Sequence, residues 1–218
     1  APTRSNKPAI LHIHGGGLVV GKPEVAIVEL QRLSAELGAL VVSVDYRLAP
    51  EHPFPAGLND SYAALEWLHG AAGELGIDPG RMAVMGESAG AGLAAAVSLR
   101  ARDRSELPIR FQLLRYPMLD DRPATPNPEL QPFLTWTYDD NVTGWGALLG
   151  DSAGGDGVSP YAARNRREKW DGDISAARAM AGTSSGCAYA RSMRSRALRR
   201  CTRSAISWVR YSSGAWAA

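Results

Sequence analysis

The sequence predicts an α/β fold: a mostly parallel sheet with helices on both faces. Three observations carry the prediction. Short runs rich in Val, Ile and Leu alternate with segments whose apolar residues recur at helical spacing. The runs are apolar at consecutive positions, as in strands covered on both faces. The segments between them are long enough for the crossovers that parallel strands require. At 218 residues and 45% hydrophobic, the chain suits one globular domain with a sizeable core.

Ala9–Ile13 reads as a strand that runs into Gly15, Gly16 and Gly17. Glu24 to Leu37 follows with Ile27, Leu30, Leu33 and Leu37 at helical spacing. Leu40–Val44 is the second strand, and Asp60–Leu68 a second helix through Ala64, Leu65 and Leu68. A third strand is expected at 81–86, a helix of small residues at 89–102, and a fourth strand at Phe111–Tyr116. Pro50–Pro55 and Asp120–Pro132 read as proline-rich connections.

From about Arg164 the pattern changes: there is no convincing strand run, and arginine occurs at all phases. Residues 1–173 hold 16 Lys+Arg and 22 Asp+Glu, net −6, whereas 174–218 hold eight Arg and no acid, net +8. The overall charge of +2 describes neither part. The expected division is a core over 1–163 and an atypical Arg/Ser-rich tail over 164–218. Arginine neutralises phosphate, yet no nucleic-acid-binding motif accompanies this charge, so no nucleic-acid partner is expected. Cys187 and Cys201 both lie in the tail without metal or redox spacing and read as incidental thiols. No run of eighteen apolar residues is present, so no membrane span is expected. Ala1–Ser5 lacks the apolar core of a signal peptide, and the cytoplasm is the expected location. Oligomeric state leaves no trace in the pattern.

Gly86-Glu87-Ser88-Ala89-Gly90 matches G-x-S-x-G, in which glycines permit the sharp strand-to-helix turn that presents a serine hydroxyl above a sheet. Alone, the motif also describes a tight turn opening a helix. His14-Gly15-Gly16-Gly17 directly follows a strand, and a loop without side chains lets backbone N–H groups approach developing negative charge. Alone, that run also describes a plain turn or a weak phosphate loop. In this order and about seventy residues apart, the two motifs together point to acyl transfer.

With "DYRLAPEHPFPA" at 45–56, the stretches "HIHGGG" and "GESAGAGLA" make the chain resemble the hormone-sensitive-lipase-like branch of the α/β-hydrolase family, which are carboxylesterases. The resemblance covers about Lys7 to Ala163. It implies an α/β-hydrolase-type sheet, here incomplete at both ends, since family members carry further strands and cap helices before residue 9. It implies Ser88 as the catalytic nucleophile and the N–H groups of Gly16, Gly17 and Ala89 as oxyanion donors. His14 is similar to the residue that holds the glycine loop in place. Asp45 and His52 fall in a segment that is structural in the family. Glu87 has two readings, one tuning an incoming imidazole and one as the turn's solvated acid. The substrate implied is a small-molecule ester with a small to medium acyl group, with no cofactor and no metal. Leu18, Phe133, Trp136 and Trp145 are candidates to line the acyl site, core packing being the other reading.

One part of the resemblance fails. A serine hydroxyl needs a base, and in this fold the chain order is serine, carboxylate, histidine. His12, His14, His52 and His69 all precede Ser88, and no acid follows Asp173. His12 is expected on the strand face opposite His14, His52 in a structural loop, and His69 at a helix end. Two explanations compete for the missing partners: a lineage that lost its base, or a shifted reading frame over the tail. The tail's arginine, serine, alanine, cysteine and tryptophan are what a shifted frame in GC-rich DNA yields. Back-translation permits Asp-Ala-Leu across Ser192–Ser195 and His-Gly across Ala215–Ala217, at two different offsets. The competing functional reading is a ligand-binding relative without its histidine, like the plant gibberellin receptors, or an inert product.

Overall fold

Consecutive apolar residues send side chains to both faces of a strand, so these strands need cover on both sides. In the computed structural model, which describes residues 6–163 and the backbone of 206–210, they form one sheet. Its strands are β1 (Lys7–Ile13), β2 (Leu40–Asp45), β3 (Ile77–Glu87), β4 (Phe111–Arg115) and β5 (Ile206–Arg210). They lie in the order β4-β3-β1-β2-β5, every pair parallel. His12 sits level with Ser43 on one side and Met85 on the other, and Glu87 level with Arg115.

The helices are α1 (Ile27–Leu37), α2 (Ala56–Gly70), α3 (Ala72–Leu75), α4 (Ala89–Arg104) and α5 (Tyr138–Leu149). Strand alternation divides the interior in two. Leu11 and Ile13 of β1, with Val42 and Val44 of β2, pack with Leu58, Tyr62, Leu65 and Leu68 of α2, Leu93 and Val97 of α4 and Trp145 of α5. On the other face Ile10, Val41 and Met85 pack with Leu30 of α1 and Ala39.

The differences from the sequence reading have local causes. The third strand spans 77–87 rather than 81–86, because Lys7 pairs with Ile77 while Ala9 pairs with Met82 and the residues between bulge out. The first helix starts late because Pro23–Ala26 winds as a 3₁₀ turn before it. Helix α5 was not anticipated, although Thr137 and Asp140 form a capping box, each side chain bonding the other's backbone N–H. Strand β5 corrects the expectation that the tail holds no strand. Ile206, Trp208 and Val209 favour extended backbone, and the outer edge of β2 offers it a ladder. The order and reading frame of 164–205, Cys187, Cys201 and the segment expected to carry a downstream acid lie outside the described residues.

Candidate active site

β3 ends at Glu87 and α4 begins at Ala89, which leaves Ser88 alone to turn the chain. It does so at φ 52°, ψ −118°, a conformation that costs a non-glycine residue roughly 1–3 kcal/mol. The surroundings hold it there. Ser88 N–H donates to the Arg115 carbonyl at 2.9 Å, and the Ser88 carbonyl accepts from Gly92 at 3.1 Å and Met118 at 3.0 Å. The flanking glycines allow the close approach: a Cβ on Gly86 would lie 2.5 Å from the Gly90 carbonyl, and one on Gly90 would strike the carbonyl oxygens of Ile13 and His14. The N-terminus of α4 is thereby pressed against the end of β1.

The glycine loop meets the same turn, since a Cβ on Gly15 would lie 3.5 Å from Ser88 Cβ. Gly16 and Gly17 adopt φ 125° and 60°, and the Gly16 carbonyl accepts from Val19 at 3.1 Å and Val20 at 3.0 Å. Among the described residues, the N–H groups of Gly16, Gly17 and Ala89 have no acceptor. Ala89 also opens α4, where unpaired N–H groups carry the positive end of the helix dipole. Ala89 follows the serine directly, and Gly16 and Gly17 follow the glycine that the loop brings against it.

His14 is built into the loop. Its Nδ1–H donates to the Gly15 carbonyl at 2.8 Å, its ring stacks on Tyr46 at 4.3 Å, and Tyr46 Oη–H donates to the His14 carbonyl at 2.9 Å. Burial pushes the His14 imidazole below its ordinary pKa and the Tyr46 phenol above its own. The His14 Nε2 is buried without a partner among the described residues. The 45–56 segment braces the loop from outside: Ala49 N–H donates to the Leu18 carbonyl at 2.9 Å, and Arg47 forks onto the buried Asp60 carboxylate with its nearest contacts at 2.9 Å. His52 is exposed, and His69 stands in the last turn of α2 with burial lowering its pKa.

Two expectations change here. Glu87 is not a solvated acid. Its side chain is 15% exposed and accepts from His12 Nε2–H at 2.9 Å, with Arg115 at 3.4 Å. Desolvation would raise its pKa, but His12 and Arg115 outweigh it and hold the carboxyl below its ordinary value. Strand alternation does not separate His12 from His14 either, because residues two apart share a face. β1 ends at Ile13, so the two rings engage different partners, His12 with Ser43 and Glu87 and His14 with Tyr46. The His12–Glu87 pair was missed because 75 residues separate its members.

A crevice lined by Leu18, Tyr46, Ala89, Met118, Trp145 and Leu148 adjoins the turn. Trp136 instead packs its ring over Gly17, and Phe133 is largely exposed. No described histidine bonds Ser88, and among the described residues no group of His, Cys, Asp or Glu could hold a metal ion.

The family model of the alpha/beta hydrolase fold matches residues 10–172. Carboxylesterase NlhH of Mycobacterium tuberculosis is 43% identical over 145 residues, 61% of this chain and 46% of that protein. Esterase LipI of the same organism is 46% identical over 116 residues, 53% of this chain and 36% of that protein. A bacterial heroin esterase superposes with a TM-score of 0.68 at 41% identity, over 77% of this chain and 54% of that one. The hyperthermophilic esterase of the archaeon Pyrobaculum calidifontis gives 0.67 at 37%, over 73% and 51%. The chain spans less than half the length of either curated relative. A matching family model over three quarters of the sequence, on a parallel sheet with the serine turn at the end of β3, makes the chain a member of the α/β-hydrolase family, in its hormone-sensitive-lipase-like branch.

Proposed function

We propose that this chain carries the nucleophile side of a serine carboxylic-ester hydrolase for small to medium acyl esters. Ser88 Oγ attacks the acyl carbon, the alcohol leaves with a proton, and water later releases the acid from the acyl-enzyme. The N–H groups of Gly16, Gly17 and Ala89 meet the charge on the carbonyl oxygen, and His14 keeps their loop in shape. The observation that carries this reading is the turn at Ser88, held at φ 52° against the glycine loop, where a Cβ on Gly15 would lie 3.5 Å from Ser88 Cβ.

Within the described residues no imidazole reaches Ser88. Removal of the base from such a triad costs about a millionfold in turnover, leaving roughly 10³–10⁴ over water from the oxyanion site and binding. Hydrolysis of p-nitrophenyl acetate and butyrate, with a Ser88→Ala control, tests this directly. Weak, Ser88-dependent turnover is expected. Ordinary esterase rates would show that a base is supplied after all. Ester binding with no Ser88-dependent turnover would favour the second reading, a ligand-binding relative, which the lack of a base on Ser88 Oγ among the described residues supports.

The core over 1–163 is the working part in this proposal, with 164–218 an atypical tail that adds β5 to the edge of the sheet and the cytoplasm as compartment. Resequencing of the coding DNA across codons 160–218 tests the shifted frame: an open frame that restores an acid and a histidine supports it. No helix among the described residues is long and apolar enough to cross a membrane.

A further inference from the structure

A polar chain crosses four strands directly behind the serine turn. Ser43 on β2, His12 on β1, Glu87 on β3 and Arg115 on β4 stand side by side, and Glu29 of α1 closes the row. The contacts are short: Ser43 Oγ to His12 Nδ1 at 2.7 Å, His12 Nε2 to Glu87 Oε2 at 2.9 Å, and Arg115 to Glu29 at 2.7 Å. His12 is wholly buried, and a buried imidazole needs both nitrogens satisfied. A carboxylate only accepts, so Nε2 holds the proton and donates to Glu87. Nδ1 then accepts from the Ser43 hydroxyl when the ring is neutral and donates to it when the ring is charged. Because the hydroxyl rotates, the row stays bonded in either protonation state.

We propose that Glu87 and His12 form a positioning pair that fixes the turn at Ser88, an assignment that rests on reading Ser88 as the nucleophile. Ser88 is strained, and among the described residues its own bonds reach only the backbone of Arg115, Met118 and Gly92, on the side of β4 and α4. Glu87 immediately precedes it and is anchored sideways toward β1 and β2. With Glu87 tied down at both its backbone and its carboxylate, the peptide that enters Ser88 cannot relax toward an ordinary φ. Among the described residues, the charged and titratable groups at this rim are His12, Glu29, Asp45, Glu87, Arg115 and the neighbouring His14.

The test combines a readout of geometry with one of chemistry. In the full chain, the backbone amide resonances of Ser88 and Ala89 are compared by nitrogen-15 NMR between the wild type and His12→Gln, a change 75 residues from Glu87 in sequence. Both amides are expected to move; amides unmoved by His12→Gln overturn the proposal. Glu87→Gln is expected to displace the same amides and Glu87→Asp to restore part of the shift, whereas superimposable Glu87→Gln amides also overturn it. For chemistry, acylation of Ser88 by p-nitrophenyl acetate is followed by mass. Glu87→Gln is expected to slow it roughly ten- to hundredfold with half-saturation unchanged, as a small misplacement of a reacting atom would. Wild-type protein that never acylates at Ser88 removes the esterase reading alone, since the amide shifts still judge the pair.

Discussion

The two faces of the sheet are built on different plans. On one, α2, α4 and α5 cover Leu11, Ile13, Val42 and Val44 with a continuous apolar layer that includes the fully buried Tyr62, Leu65, Leu68 and Trp145. On the other, among the described residues, α1 covers a short patch around Ile10, Val41 and Met85, and the layer turns polar toward the ends of the strands, at Ser43, His12, Glu87 and Arg115. The apolar face supplies bulk burial, which is non-directional. The polar rim supplies directional bonds, and it lies where the backbone is strained. The difference teaches that stability and the geometry of the serine turn come from separate layers of one sheet.

The largest expected effect tests the first half of that comparison. Leu65 and Leu30 are both buried, one on each face. Leu65→Ala opens a cavity in a layer packed from several sides and is expected to cost about 4 kcal/mol, near the upper part of the range for such changes. Leu30→Ala is expected to cost about 2–3 kcal/mol, because α1 is thinly packed and can settle: Val28 and Leu37 on it are 76% and 56% exposed. Urea unfolding of the two variants measures the difference. Equal losses would mean that the two faces do not divide the burial energy.

Gly90→Ala joins the two layers at their point of contact. The added methyl meets the carbonyl oxygens of Ile13 and His14, which are backbone and cannot swing away. An overpacking cost of about 1–3 kcal/mol is expected, with a loss of whatever Ser88-dependent turnover the wild type shows. Retained turnover would mean that the turn tolerates a shift of α4 away from β1.

Acid separates the layers by pH. The unfolded His14 titrates near 6.5 while burial lowers the folded value, so the unfolded state binds more protons as pH falls below about 6.5. Stability is full above that point and declines below it. Glu87 follows the same sign lower down: its folded pKa lies below the ordinary 4.5, so its contribution is present above about 4.5 and is lost as pH falls further. Unfolding midpoints between pH 7 and 3 should fall in two stages. Glu87→Gln should shrink the lower stage, to which Asp140 also contributes, and leave the upper. A single stage that survives both Glu87→Gln and His14→Phe would break the assignment.

These two layers were unequally legible in the sequence. Consecutive apolar runs and helical spacing located β1 to β4, α1, α2 and α4, because each is decided by residues within one turn or one strand. The G-x-S-x-G and HGGG stretches likewise mark the turn and the loop. Helix α5 has a readable start in the capping box of Thr137 and Asp140. The polar rim could not be read, for its bonds join residues 31, 75 and 86 apart, and only the packing of the strands and of α1 on them brings these residues together. Glu87 illustrates the limit: local sequence shows a carboxylate next to a serine, and the fold decides that it faces His12 rather than water.

The smallest effect concerns the outer surface of α1. Val28 points to solvent, and Val28→Thr keeps the β-branched shape while replacing a methyl with a hydroxyl that water can satisfy. If the thin apolar patch under α1 ends at Leu30 and Leu33, this change should move stability by no more than about 0.5 kcal/mol. A loss above 1 kcal/mol would mean that Val28 is covered in solution and that the face is thicker than the described residues make it. Urea unfolding over a tenfold range of protein concentration then tells a second copy from the chain's own segments. A midpoint that rises with concentration assigns the cover to another molecule, and a constant midpoint assigns it to this one.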